Sequence, residues 1–214
     1  MKNIIFILFI VTVLPAQAKQ RYGIDLAVGL KGGVNMNQMT GKGLKNVYST
    51  DPHVGFFAHL NKKRIGIQVE SVWSQNRIVT DSTFYGFYKQ HFRSVSDSLS
   101  AGRFRFQTLA IPVLLNIKLH ERIWVQVGPQ FTSHVNLLDK NKILKSGIVV
   151  IEDGAVNGVA GIWLQFGGKN PVLHMNAGAR FIMGVNNMSE LVTNAGNVEK
   201  WRNQMIQIHL GVSY

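Results

Sequence analysis

The segment from Tyr22 to Val34, YGIDLAVGLKGGV, alternates apolar side chains with glycine, alanine and charged residues. A period of two places these two sets on opposite faces of a β-strand. One face carries Ile24, Leu26, Val28 and Leu30, and the other carries Asp25 and Lys31. Such a strand fits a soluble sandwich, where a second sheet covers the apolar face, or a membrane barrel, where lipid covers it. The rest of the sequence is needed to distinguish the sandwich from the barrel.

The first 18 residues, MKNIIFILFIVTVLPAQA, have the pattern of an export signal. Lys2 precedes an apolar stretch that is shorter than the ~20 residues of a membrane-spanning helix. Small residues at Ala16 and Ala18 fit a signal-peptidase site. We therefore predict a cleaved signal peptide over residues 1–18 and one mature domain over residues 19–214.

The composition of the chain excludes some classes of function. There is no cysteine, so the exported domain has no disulfides and depends on a core or a closed sheet. Removing Lys2 with the signal peptide leaves 22 basic and 11 acidic residues, a net charge of +11. The basic residues are scattered over turns and loops, and export itself argues against nucleic-acid binding. We predict no nucleic-acid partner.

Eight alternating segments follow one another, at residues 22–34, 54–60, 65–73, 104–119, 123–135, 159–166, 171–185 and 204–214. Short turns near 61–64, 120–122 and 167–170 alternate with long connections at 35–52, 80–102, 136–157 and 186–202. This regular alternation is typical of outer-membrane barrels, whereas the crossings of a Greek-key sandwich do not sort connections by length. The predicted fold is an all-β, eight-stranded antiparallel up-and-down transmembrane β-barrel with short periplasmic turns and long extracellular loops.

Aromatic residues lie near the ends of the apolar faces, at Tyr22, Phe56, Trp73, Phe131, Phe166 and Tyr214. Rings in these places are typical of barrels, where they occupy the two interfaces of the bilayer. The alternative is that they are ordinary core residues.

Pro112 interrupts the fourth alternating segment. Proline has no backbone N–H and cannot donate to a β-ladder. We therefore expect a bulge or a local break in the strand at this residue.

Four stretches together resemble the PorT-type family of outer-membrane β-barrel proteins. They are VGLKGGVNMNQM after the signal, FQTLAIPVLLNIKL in mid-chain, VQVGPQFTSHV after the next turn, and the terminal IHLGVSY. The resemblance covers essentially the whole mature chain and rests on the order and spacing of the four stretches. It implies an eight-stranded barrel in the bacterial outer membrane, in contact with outer-membrane lipid and lipopolysaccharide. It implies little about activity, because the family shares its architecture more than any chemistry.

Alternation also predicts which charged residues face the lumen of the barrel, namely Asp25, Lys31, Glu70 and Arg180. An unpaired charge away from water is costly, so these side chains need partners. We expect a compensated polar network that includes a pair between Glu70 and Arg180. The network acts either as a structural plug or, in the alternative, as an ion path.

The serine and histidine residues give no convincing catalytic group. Ser133 and His134 are adjacent, so they point to opposite faces of a strand. One predicted loop contains His91, Ser94, Asp97 and Ser98, whose spacing matches no catalytic rule. The histidines predicted to face the lumen are His53, His59, His174 and His209, and they lack carboxylates at ligand spacing. We predict no enzyme activity, no catalytic residue, no metal site and no cofactor.

The predicted function is a non-catalytic structural or surface-binding role in the outer membrane. The loop segment TFYGFYKQHF has five aromatic residues in ten and could bind a protein or glycan partner. Alternatively, its rings fold back over the mouth of the barrel. A narrow, porin-like solute channel is the second hypothesis, and a lipid-modifying enzyme is the third.

Overall fold

A computed structural model describes residues 24–88, 103–139, 154–166, 173–187, 189, 196 and 199–214. Its elements are β1 (Ile24–Thr40), β2 (Ser49–Lys62), β3 (Ile65–Val79), α1 (Phe84–Tyr88), β4 (Arg103–His120), β5 (Ile123–Asp139), β6 (Gly154–Phe166), β7 (His174–Gly184) and β8 (Arg202–Ser213). Each strand pairs antiparallel with the next, and β1 pairs with β8 to close the barrel. The predicted eight-stranded antiparallel barrel is confirmed. The predicted signal peptide, residues 1–18, lies outside the described residues.

The strands extend further toward the long loops than the sequence pattern predicts. Residues 35–52 were expected to form a loop, yet β1 and β2 stay paired as far as Asn37 and Ser49. The loop between them is therefore 41–48 only. Likewise, β5 continues to Asp139 and β6 begins at Gly154. The hydrogen bonds between strands join backbone groups and do not depend on the side chains. Strand pairing therefore continues beyond the point where apolar and polar side chains stop alternating.

Inner and outer faces of the barrel have opposite character. Large apolar side chains are exposed on the outside of every strand whose side chains are described, for example Phe56 and Leu210, each 67% exposed. Of the predicted interface aromatics, Phe56, Trp73, Phe131, Phe166 and Tyr214 are all exposed on this outer face. They are therefore not core residues. Tyr22 lies outside the described residues.

The only helix among the described elements, α1, has five residues and follows β3. In the described part of the chain, no helix is long and apolar enough to cross a membrane.

Of the two outcomes expected at Pro112, a bulge or a local break, the structure shows a local break in the ladder to β3 and no bulge. Pro112 pairs with Gln130 of β5, and the register is the same on both sides of it. Pairing between β4 and β3 is interrupted opposite Glu70 and Ser71, because proline has no N–H to donate. Register shifts in β4 lie nearer its two ends, between Gln107 and Thr108 and between Lys118 and His120.

Close backbone packing between β4 and β5 makes one glycine necessary. A Cβ atom on Gly128 would overlap the backbone oxygen of Val113 and lie 3.1 Å from Cα of Leu114. We predict that Gly128→Ala lowers the free energy of unfolding by roughly 1–3 kcal/mol, because the ladder must open to admit the methyl group. Urea titration in detergent micelles, followed by heat-modifiable gel migration, measures the loss. Gly158→Ala on β6 is the matched control, since a Cβ there meets nothing within 4 Å. Equal stability of the two variants would contradict the prediction.

Candidate functional site: the filled lumen

Inward side chains fill the barrel in successive layers along its axis. Aromatic rings lie near the short turns, a charged layer follows, and then a small apolar cluster of Leu114, Val159, Ile182 and Met205. A polar layer and a second aromatic layer lie toward the long loops. This filling follows from barrel size, because eight strands enclose a space that side chains can occupy completely.

The charged layer is centred on one carboxylate, that of Glu70 in β3. Arg180 of β7 binds it with two parallel bonds, from Nη1 to Oε2 at 2.8 Å and from Nη2 to Oε1 at 2.7 Å. Lys31 of β1 donates from Nζ to Oε2 at 2.5 Å. All three side chains are at most 1% exposed. Glu70 is thus shared by two cations in a dry environment, where bidentate charge-assisted bonds are strong.

Amide side chains complete the hydrogen bonding of this layer. Gln126 of β5 accepts from Arg180 Nη2 at 2.7 Å and from its Nε at 3.0 Å. The same amide donates to Gln68 at 3.0 Å and to Asn116 at 2.9 Å. Gln68 in turn donates to Glu70 Oε1 at 2.5 Å. A buried ion pair is tolerated when its remaining donors and acceptors are satisfied, as they are here.

Lys31 extends the network to the last strand. Its Nζ lies 3.5 Å from Oε1 of Gln207, and Gln207 donates to Asn35 at 3.0 Å. The network therefore joins β1, β3, β4, β5, β7 and β8 across the lumen. With both cations and the carboxylate ionised, Lys31, Arg180 and Glu70 carry a net charge of +1.

Asp25 does not belong to this network, which corrects the sequence prediction. It has the expected inward parity in β1, but it pairs with Asn61 beside the short turn and is exposed. Six residues of strand separate it from Lys31, roughly 20 Å. The alternation along a strand sets the face on which a side chain lies. The height of that side chain along the barrel axis sets which charged residues it contacts. Of the four predicted residues, the structure brings Lys31, Glu70 and Arg180 together and leaves Asp25 at the rim.

Aromatic rings close the lumen near the short turns. The ring centroid of Trp163 lies 6.0 Å from the ring centroid of Trp124 and 5.1 Å from that of His59. Phe57 stacks on His59 at 6.0 Å, and Lys118 Nζ lies 5.5 Å from the Trp124 ring. The charged layer is therefore shielded from the turn side of the barrel.

A second aromatic cluster covers the lumen on the side of the long loops. Phe84 of α1 is fully buried and lies 6.0 Å from Phe104 and 6.1 Å from Trp201, measured between ring centroids. Lys42 Nζ lies 4.3 Å from the ring of Phe87. Of the two alternatives for the aromatic loop, folding back over the mouth is therefore found for its first part. The remainder of that loop, residues 89–102, lies outside the described residues.

A small cavity lies between the apolar cluster and this mouth cluster. It has a volume of about 20 Å³, enough for one water molecule. Its lining includes Ser74 and Thr108, whose hydroxyl oxygens are 2.7 Å apart. Asn76 and Asn157 also line it, and their side-chain oxygens are buried without a protein partner. A bound water would satisfy them.

The serine and histidine residues considered for catalysis do not come together in the part of the chain that the structure describes. His91, Ser94, Asp97 and Ser98 lie outside that part. Ser133 is exposed while His134 lines the cavity, so the two point apart. Within the described ranges, no group of three or more histidine or acidic side chains could hold a metal ion.

Sequence reasoning missed the amides and the rings that complete the lumen. The missed amide residues are Gln68, Asn116, Gln126 and Gln207, and the missed rings include Trp124 and Trp163. All of them alternate in phase with the charged residues, so parity alone would have placed them inside. Their contacts could not be read in the same way, because the partners lie on different strands.

Comparisons with known proteins agree with this architecture. A family model described as outer membrane protein beta-barrel domain matches residues 16–214. A comparison with curated protein sequences finds no match.

Several solved structures have a similar fold. The outer membrane protein OprG from Pseudomonas aeruginosa is 10% identical, with a TM-score of 0.51, and the match covers 88% of this chain and 95% of OprG. Ail, the attachment invasion locus protein of Yersinia pestis, in complex with the heparin analogue sucrose octasulfate, is 8% identical with a TM-score of 0.47, over 88% of this chain and 99% of Ail. Neisserial surface protein A is 9% identical with a TM-score of 0.45, over 89% and 97% of the two chains. At these identities the likeness concerns the fold alone.

Because the Glu70 carboxylate is shared by two cations, we expect its loss to destabilise the barrel more than the loss of one cation does. Glu70→Gln leaves two buried cations without a counter-charge, so we expect it to lower the free energy of unfolding by roughly 3–5 kcal/mol. Arg180→Met should cost less, because Glu70 keeps Lys31 as a partner. The double variant should lose less than the sum of the two, with a coupling energy of roughly 0.5–3 kcal/mol. Urea titration of protein folded in detergent micelles measures all three.

Asp25 provides the matched control for this cycle. Asp25→Asn removes an inward-parity carboxylate that has no contact with the network, so its effect should add to that of Arg180→Met within ~0.5 kcal/mol. Additive losses for Glu70→Gln with Arg180→Met would mean that the two side chains do not interact.

Proposed function

Because the chain belongs to the outer membrane protein beta-barrel domain family, we propose that it is a non-conducting, non-catalytic membrane platform that presents its long loops at the cell surface. The observation that carries this proposal is the filled lumen. The Glu70–Arg180 pair blocks the middle of the barrel, and aromatic clusters cover both ends. A solute would have to break buried ion pairs to pass, which favours a structural plug over an ion path.

The loop-end surface supports a binding role. In the loop between β1 and β2, Val47 and Tyr48 are 41% and 53% exposed, and Lys45 beside them is also exposed. An exposed tyrosine with apolar and cationic neighbours suits a protein or glycan partner. The outer apolar surface below the loops contacts outer-membrane lipid, and lipopolysaccharide is the partner expected on the side of the loops.

Three finer assignments complete the proposal. Residues 1–18 act as a cleaved export signal, which their charged start, apolar stretch and small terminal residues support. The chain is of the PorT type, which the order of its four characteristic stretches supports. The short turns face the periplasm and the long loops face outside, as in other barrels of this kind.

A conductance measurement tests the filled lumen against the alternative of a narrow solute channel. We expect purified protein in planar lipid bilayers to give no reproducible unitary steps, because both aromatic clusters and the charged layer obstruct the axis. A 16-stranded porin in the same bilayers shows that the recording detects an open barrel. Stable unitary conductance from pure protein would overturn the proposal in favour of the channel, for which the water-sized cavity would then be part of the path.

Epitope insertion tests the export and the orientation of the barrel. A tag between Asn46 and Val47, in the exposed β1–β2 loop, should bind antibody on intact cells. A tag between Glu121 and Arg122, in the exposed turn between β4 and β5, should bind only after the outer membrane is permeabilised. Deleting residues 1–18 should abolish the surface signal. Labelling of the turn on intact cells would contradict the orientation.

A further inference from the structure

Two arginines face each other directly on the outer surface of the barrel. Arg77 of β3 and Arg105 of β4 are cross-strand partners, on the same face as the exposed apolar residues Trp73 and Leu109. The Arg77 side chain is 42% exposed. Like charges directly opposite each other on one face of a sheet are unfavourable. Negative charge close by would therefore stabilise the pair.

The height of the pair places it at the level of lipid headgroups. The apolar surface of β3 and β4 ends at the Trp73–Leu109 pair, and a row of Gln75 and Gln107 separates it from the arginines. Four residues of strand correspond to roughly 13 Å along the chain. With a strand tilt of ~35–45°, this is roughly 10 Å along the membrane normal. With Trp73 at the edge of the hydrocarbon layer, the guanidinium groups would lie in the headgroup region on the side of the long loops.

Among the side chains that the structure describes, a carboxylate lies beside only one of the two arginines. Arg77 Nε donates to Oδ1 of the buried Asp51 at 2.7 Å, and its Nη2 donates to the backbone oxygen of Thr50. Arg105 instead meets the neutral side chain of Gln75, whose oxygen accepts from Nε at 2.8 Å and from Nη1 at 3.1 Å once the amide is oriented with its oxygen toward the guanidinium. Arg77, Arg105 and Asp51 together carry a net charge of +1.

We propose that Arg105, with Arg77 behind it, binds the phosphate of a membrane lipid in the leaflet on the side of the long loops. A guanidinium group binds phosphate with two parallel bonds. A phosphate monoester carries about −1.5 to −2 charges at pH 7, enough to compensate the pair. The acyl chains of such a lipid would lie against the apolar surface that begins at Trp73 and Leu109. The recognised chemistry is thus a glycolipid phosphate monoester, the headgroup chemistry of lipopolysaccharide.

This inference rests on the membrane position of the proposed function, but its test is separate from conductance and orientation. Folded protein in neutral detergent is titrated with the phosphorylated lipid anchor of lipopolysaccharide and with the same lipid after its phosphates have been removed. Native mass spectrometry counts bound lipid in both titrations. We expect the phosphorylated lipid to bind about tenfold tighter or more, as one charge-assisted hydrogen bond would give.

Arg105 is the residue to replace, because Arg77 holds buried Asp51 and its loss would also affect folding. Arg105→Gln should remove most of the preference for phosphate, and Arg105→Lys should restore part of it. Arg202→Gln is the matched control, since Arg202 is an exposed arginine on the same side of the barrel and faces Thr40, not another cation. It should leave the preference unchanged. Heat-modifiable migration shows that each variant is folded.

Three results would overturn the proposal. One is equal binding of the two lipids by the unaltered protein. Another is an equal loss of preference in the Arg105→Gln and Arg202→Gln variants, which would indicate general charge attraction. The third is displacement of the lipid by inorganic phosphate at a matching concentration, which would mean that the site recognises free phosphate. None of these results bears on whether the lumen conducts.

Discussion

Closure of the sheet between β1 and β8 is the constraint on which the rest of the structure depends. Within a bilayer, backbone N–H and C=O groups have no water to bond, so an open sheet edge is costly. The pairing of Gly29 through Thr40 with Ser213 through Arg202 removes that edge. Eight strands joined in this way define a narrow cylinder. Both the apolar outside and the crowded inside follow from that geometry.

The narrow cylinder turns the lumen into a core made of polar groups. A wider barrel would admit water, and inward charges would then need no partners. Here the charged side chains at mid-height are almost without exposure, so each must find an ion pair or an amide. Glu70 satisfies two cations at once, and Gln126 satisfies the part of Arg180 that Glu70 does not reach. The same buried contacts that stabilise the barrel also obstruct it, which links its stability to the proposed lack of conduction.

The outer surface depends on height in a similar way. Apolar residues cover the strands up to Trp73 and Leu109, and the strands then continue as a paired sheet with polar and basic side chains. Backbone pairing does not require lipid, so the barrel wall extends past the hydrocarbon layer into the headgroup region. There Arg77 and Arg105 lie opposite each other on the outer face, where we propose that they bind a lipid phosphate. One continuous sheet therefore carries an apolar surface, which suits lipid acyl chains, and a basic surface above it, which suits lipid headgroups.

The sequence by itself determined the number of strands, the order of short and long connections, and the face on which each side chain lies. These properties are local, because a period of two assigns every residue of a strand to one of two faces. Only the tertiary structure decided which inward residues meet. Lys31 and Arg180 lie 39 and 110 residues from Glu70 in the chain and reach it because the stagger of the closed strands brings them to one height. Asp25 has the same parity as Lys31, but six residues of strand carry it to the exposed rim. Height depends on the register of all eight strands, which no single strand encodes.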